Sequence, residues 1–324
     1  MDFLKEIRRP IEEDLKQYKL LFDSTLTHND KFLGSVLDYL RGRNGKLMRP
    51  ILVLLVAKEL GAINERSLRA AVTLELLHTA SLVHDDVVDE SNKRRGQASI
   101  NAVYDNKVAV LLGDYLLSAS LHQSALSGDI RVVDIIARLG GTLSEGEIFQ
   151  LENTRSKDIS EAAYFHIIQH KTAALFAACA RLGAIAAGGS DEFIELANKF
   201  GELVGICFQI RDDIFDYYDN SDIGKPTGND MAEGKLTLPA IYTVHKLNDP
   251  AVHQLAARIK AGESSPQDIE KMVALTKESG GIDYAKETMY KYHAEAVELL
   301  DNFRNDAVRT SLKLYMDYVI GRNM

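Results

Sequence analysis

Downstream of the Gly280-Gly281 pair, Ile282, Ala285, Met289, Tyr292, Ala296 and Leu299 recur at alternating spacings of three and four. Such residues form one apolar stripe on a helix of 3.6 residues per turn. Sustained alternation of the kind that marks a half-buried strand is hard to find anywhere in the chain. Two further helices are predicted, one over roughly Arg69 to Asp89 and one over Asp191 to Tyr218 behind Ser190 as N-cap. Prolines stand only at positions 10, 50, 226, 239, 250 and 266, so the middle of the chain lacks the commonest helix breaker. The pattern predicts an all-α fold, with long helices stacked through the middle of the sequence.

Domain organisation follows from what is missing. There is no Gly/Ser linker, low-complexity tract or fixed-period repeat, and helical segments continue on both sides of every proline. One domain over residues 1–324 is therefore expected, although the length would also fit two. A hydrophobic share of 46% with 26% charged residues supports a large core and excludes disorder, collagen and disulfide scaffolds. The net charge of −9 argues against general binding to nucleic acid or acidic lipid. Cys179 and Cys207 lie in apolar stretches without CxxC spacing and read as buried free thiols in a reducing compartment. The acid-bearing amino terminus does not resemble a secretion signal, and runs such as Ile51 to Ala57 fall far short of the roughly 18 residues of a membrane span. A cytoplasmic protein with no membrane span is expected.

Both predicted long helices end in acids. The first ends His84-Asp85-Asp86-Val87-Val88-Asp89-Glu90 and the second Arg211-Asp212-Asp213-Ile214-Phe215-Asp216. Asp85 with Asp89, and Asp212 with Asp216, stand one helical turn apart on one face. Like charges at that spacing repel, and carboxylates at a helix C-terminus oppose the dipole, each at a cost of some tenths of a kcal/mol. A hard cation relieves both. Oxygen ligands without a companion His/Cys set suit Mg²⁺, which takes one or two carboxylates plus substrate phosphates. Cations for such an anion occur at Lys46, Arg49, Arg94, Arg95, Lys171, Lys225 and Lys235. The dipeptide His84-Asp85, with His78 and Asp212, also permits an HD-type metal-dependent phosphohydrolase, but that scheme leaves Asp86, Asp89, Asp213 and Asp216 without a task.

Taken in order, GKLMRP at 45–50, ELLHTASLVHDDVVDES at 75–91, RRG at 94–96, KT at 171–172, FQIRDD at 208–213 and GKPTGNDMAEGKLTLP at 224–239 resemble the successive signatures of trans-polyprenyl diphosphate synthases. The resemblance implies the isoprenoid synthase fold, a bundle of about a dozen helices around a central cavity. It implies a Mg²⁺-dependent enzyme with several ions per site that condenses an allylic diphosphate with isopentenyl diphosphate by ionisation, condensation and elimination. Lys46, Arg49, His78 and Arg95 would hold isopentenyl diphosphate, and Arg94, Lys171, Lys225 and Lys235 the allylic diphosphate. Asp85, Asp89, Asp212 and Asp216 would hold metal, with Asp86 and Asp213 completing the catalytic acids. Thr172, Gln209 and the Lys171 carbonyl would offer dipoles to the allylic cation.

Two departures bear on the product. The first acid motif lacks the insertion of bacterial short-chain farnesyl synthases, and Ala80 and Ser81, about one turn before Asp85, stand where short-product relatives carry a bulky residue. A medium or long chain, such as a quinone side chain, is the resulting expectation, with a short-chain synthase or a regulatory synthase subunit as alternatives. Glu147-Ile148-Phe149-Gln150 also differs from the Gln-first, Asp-last segment of short-chain relatives. By resemblance the enzyme is a homodimer, and Val108 to Leu121 is a candidate interface.

Overall fold

The computed structural model describes residues 3–42, 45–94, 96–156, 158–218 and 227–321. Arg95 and Lys225, both assigned to substrate above, lie outside the described residues. The fold is all-α. In chain order the helices are α1 (Phe3–Arg8), α2 (Glu12–Thr25), α3 (Lys31–Arg41), α4 (Met48–Glu59), α5 (Glu65–Val88), α6 (Ile100–Tyr104), α7 (Asn106–Leu126), α8 (Ile130–Arg155) and α9 (Glu161–Ile168). They continue as α10 (Ala174–Ala186), α11 (Asp191–Phe215), α12 (Asn229–Ala232), α13 (Leu238–Leu247), α14 (Pro250–Lys260), α15 (Pro266–Glu278), α16 (Gly281–Leu299) and α17 (Asp306–Gly321). Among the described residues the strands are β1 (Lys93–Arg94) and β2 (Gln97–Ala98), an antiparallel ribbon pairing Lys93 with Ala98.

The chain divides into two compact units. One comprises residues 1–140, 175–201 and 299–315, the other 141–174, 202–298 and 316–324. In the first, α4 buries every residue from Pro50 to Ala57, a helix enclosed all round. Helix α7 is two-sided: Ala109, Leu112, Gly113 and Leu116 are buried, whereas Val110, Leu111, Leu121 and Leu126 are exposed. In the second unit the prolines start helices instead of ending them. Pro250 and Pro266 each occupy the first helical position, where no backbone N–H is needed, behind Asp249 and Ser265 as caps. Both cysteines are buried free thiols, and burial pushes Cys207 up to about 12. No described helix is long and apolar enough to cross a membrane.

The predicted long helices form with shifted ends. Helix α5 begins at Glu65, four residues earlier than the apolar pattern reaches, because the Asn64 side chain accepts the Ser67 N–H. Ser190 does cap α11, through the Phe193 N–H. That helix stops at Phe215, after which the Tyr217 and Tyr218 N–H groups turn to the carbonyls three residues back, Ile214 and Phe215.

Candidate active site

In the first unit the acid motif forms the last turn of α5. Asp86 is buried, Asp85 is half-buried, and Asp89 is exposed at the C-cap. The buried carboxylate accepts Arg94 Nε at 2.7 Å, while the Asp86 carbonyl accepts the Ser91 N–H at 2.9 Å and Asn101 Nδ2 at 3.2 Å. Asp86 thus ties down the ribbon that follows the helix. A cleft of about 590 Å³ opens beside it, lined by His78, Asp86 and Arg94 and by Gly45 and Leu47, the two neighbours of Lys46. Leu47 holds a left-handed backbone (φ 55°) as it turns the chain into α4, and Arg8 donates to the Lys46 carbonyl at 2.8 Å. Arg49 is half-buried with its guanidinium 5.3 Å from the centre of the Phe176 ring. The sequence did not single out Arg41, which also lines this cleft and pairs with Asp38.

Ala80 is fully buried, and Ser81 is half-buried with its hydroxyl donating to the His78 carbonyl at 2.9 Å. His84 faces α7. Its ring occupies the space a Cβ on Gly113 would fill, with Nε2 3.1 Å from the Val110 carbonyl and 3.6 Å from Asp114. The HD scheme needs this ring as a metal ligand, whereas here its Nε2 is turned to the α7 backbone.

In the second unit three segments converge. Residues Gln169–Ala173 form one π-helical turn, with the Ala174 N–H donating to the Gln169 carbonyl. Gly146 of α8 allows close approach to this turn, since a Cβ there would stand 2.8 Å from His170 Cβ and 3.1 Å from Lys171 Cγ. Gly205 of α11 does the same from another side, where a Cβ would meet Ala173 Cα at 2.4 Å. Gln209 and Asp213 follow Gly205 at i+4 and i+8 and share its face. The close packing sets up two polar constellations. Lys171 pairs with Glu147 and donates to Gln150 Oε1 at 3.0 Å, so the departure from the short-chain pattern at 147–150 supplies partners for the lysine. Thr172 Oγ1 donates to Gln209 Oε1 at 2.7 Å, Gln209 Nε2 to Asp213 Oδ1 at 2.8 Å, and Tyr164 OH to Asp213 Oδ2 at 2.6 Å.

Asp213 is buried among these donors. Burial pushes its carboxyl well above the usual carboxylate range, the charge of Asp230 adds to that, and the Tyr164 and Gln209 hydrogen bonds oppose it. Asp216 Oδ1 accepts the Asn229 N–H at 3.0 Å and Oδ2 the Asp230 N–H at 3.2 Å, fixing the start of α12. Lys235 pairs with Glu233 at 2.6 Å. A cleft of about 200 Å³ is lined by Tyr164, Lys171, Thr172, Gln209, Asp213 and Lys235. It is also lined by Lys260, 6% exposed, whose Nζ donates to the Asp158 carbonyl. Lys260 follows Leu255, Ala256 and Ile259 on the apolar face of α14, and that misplaced charge is a signal the sequence already carried.

Among the described residues no three His, Cys, Asp or Glu side chains converge as a ready metal cage. Each motif instead offers carboxylate oxygens at the end of a helix, Asp85 with the C-cap Asp89 on α5 and Asp212 on α11 with Asp216 just past it, the Asp216 oxygens also accepting the α12 amides. One or two carboxylates with the remaining positions left to phosphate and water is the donor set a Mg²⁺ ion takes, so the residues fit that ion.

Comparison with known proteins agrees in detail. The family model described as Polyprenyl synthetase matches residues 30–276. The octaprenyl diphosphate synthase of Haemophilus influenzae is 32% identical over 299 residues, covering 92% of this chain and 91% of that protein. The crystal structure of geranylgeranyl pyrophosphate synthase from Bacteroides thetaiotaomicron aligns with a TM-score of 0.87 at 45% identity, over 99% of this chain and 100% of that one. The polyprenyl synthase from Caulobacter crescentus, solved with calcium and isoprenyl diphosphate, aligns at 0.91 and 30% identity, over 98% of each chain.

Proposed function

The chain belongs to the polyprenyl synthetase family and is a prenyltransferase, and on that footing we propose that it lengthens an allylic diphosphate with successive isopentenyl diphosphates under Mg²⁺. The observation that carries this reading is the second unit's cleft, where Lys171, Lys235, Lys260 and the Thr172–Gln209–Asp213 chain line one space. Lys171, Lys235, Lys225 and Arg94 bind the allylic diphosphate, and Lys46, Arg49, His78 and Arg95 bind isopentenyl diphosphate. Asp85, Asp89, Asp212 and Asp216 hold the metal, and Asp86 and Asp213 brace the two motifs. When bound, divalent ions neutralise the charge of the departing pyrophosphate; the Caulobacter relative's calcium supports a divalent site.

The chain's own groups do the rest. Lysine and arginine side chains share the leaving-group charge while the allylic C–O bond breaks. Thr172, Gln209 and the Lys171 carbonyl turn oxygen dipoles toward the allylic cation. The double bond of isopentenyl diphosphate supplies the electron pair for the new C–C bond, and a proton passes to the pyrophosphate as a new double bond forms. Residues 1–324 work as one domain in this reading, supported by a family match that runs through segments of both units. Two copies associate through the Val108 to Leu121 stretch of α7, where Val110, Leu111 and Leu121 are exposed. The enzyme acts in the cytoplasm.

The product is of medium or long chain, suited to a quinone side chain, because the small Ala80 and Ser81 stand one turn before Asp85 where a bulky side chain would stop growth. The Bacteroides geranylgeranyl relative favours a second reading, a product of four isoprene units. Chromatography of dephosphorylated products decides between them. Wild type should yield chains beyond four units, and Ala80→Phe, at an overpacking cost of about 1–3 kcal/mol, should stop at about three or four. Wild-type chains ending at four units favour the second reading, and an unchanged distribution from active Ala80→Phe removes this turn from the growth path.

A further inference from the structure

Tyr164 belongs to no recognisable motif, yet it is buried in the second unit and ends a chain of three short hydrogen bonds that reaches Thr172. The chain has a fixed direction. Asp213 Oδ2 stands 2.6 Å from Tyr164 OH, and because an amide N–H can only donate, Gln209 Nε2 gives its proton to Asp213 Oδ1 at 2.8 Å. That bond settles which way round the Gln209 amide lies, because its nitrogen is committed to Asp213 and its oxygen is left facing Thr172. The Thr172 proton is spent on Gln209 Oε1, leaving the threonine lone pairs as the dipole this group offers the cleft it lines. Were the amide reversed, an N–H donor would replace the oxygen and present the wrong sign of charge to a cation.

We propose that Tyr164 is a positioning residue for ionisation. By holding one oxygen of Asp213 it fixes the carboxylate plane, the carboxylate fixes the Gln209 amide, and the amide orients Thr172. The role rests on the prenyl-transfer reading above and adds to it a residue that acts through Asp213 and Gln209. Tyr164 stands one helical segment before Lys171, and Gln209 and Asp213 sit on the Gly205 face of α11, so the chain braces the π-helical turn against α11 as well. A purely structural brace and a positioning brace differ in what they move: the first changes stability and every kinetic constant together, the second changes the ionisation step alone.

The test is steady-state turnover of the full chain with Mg²⁺, an allylic diphosphate and isopentenyl diphosphate, for Tyr164→Phe, Thr172→Val and the double variant. Tyr164→Phe should lower kcat about tenfold with the allylic KM held within about twofold. On the Thr172→Val background the same change should cost less than about twofold, since the dipole it orients is already gone. Equal losses on both backgrounds, or a kcat unchanged by Tyr164→Phe, overturn the inference while an active wild type keeps the prenyl-transfer reading. An inactive wild type overturns both. If Tyr164→Phe fails to fold, Asp213→Asn reads the same chain: a fall in kcat without a change in allylic KM supports it, and a parallel rise in KM overturns it.

Discussion

The two acid motifs carry the same residue spacing and are braced by opposite chemistry. In the first unit the middle aspartate, Asp86, meets a cation, the Arg94 guanidinium at 2.7 Å. In the second, among the described residues, the equivalent Asp213 meets the neutral donors Tyr164 and Gln209, and burial pushes its carboxyl well above the usual carboxylate range. The last aspartates differ too. Asp89 ends α5 exposed to solvent, whereas both oxygens of Asp216 accept backbone N–H groups from α12. A motif read as one repeated unit is thus two devices: one anchored by charge next to a large cleft, the other by a directional hydrogen-bond chain. On the proposed reading the half-buried acids, Asp85 and Asp212, carry the shared chemistry, and the buried Asp86 and Asp213 carry the local architecture.

The largest effect should follow from breaking what the motifs share. Asp85→Ala and Asp212→Ala should each lower turnover by several kcal/mol in activation free energy, two to three orders of magnitude or more, with helical content by circular dichroism unchanged. His84→Ala, which empties the notch beside Gly113, should stay near wild-type turnover in the same assay. Undiminished turnover by either folded aspartate variant would refute the assignment, and a greater loss at His84 would restore the phosphohydrolase reading. A smaller effect should separate the braces. Asp86→Asn removes the charge that faces Arg94 and should cost about 2–3 kcal/mol in urea unfolding, less than a fully buried pair because Arg94 is partly in water. Asp213→Asn should cost under about 1 kcal/mol, since it removes a charge that burial already disfavours and keeps one acceptor oxygen. Equal costs would erase the distinction between the two braces.

Much of this was legible in the sequence, and particular residues show why the rest was not. The acids, the Lys171-Thr172 pair and Gln209 sit in local patterns whose spacing survives folding. Tyr164 does not: one tyrosine in an apolar helix reads as core, and its partner Asp213 lies 49 positions away. Glu147 was noticed as a departure from the short-chain pattern, but only the close approach at Gly146 gives it Lys171 as a partner. Helix ends were misplaced at Asn64, where a side-chain cap started the helix ahead of its apolar pattern, and after Phe215, where the backbone bonds tighten to the carbonyls three residues back. The direction of His84 depended on a glycine 29 residues later that no local pattern announces.

The central claim is that the protein makes a carbon–carbon bond by expelling pyrophosphate, and the stoichiometry of turnover tests it most directly. Purified chain with Mg²⁺, an allylic diphosphate and labelled isopentenyl diphosphate should release one pyrophosphate for each isopentenyl unit incorporated, and none in chelator. Release of orthophosphate, or pyrophosphate formed without incorporation of the label, would contradict the account.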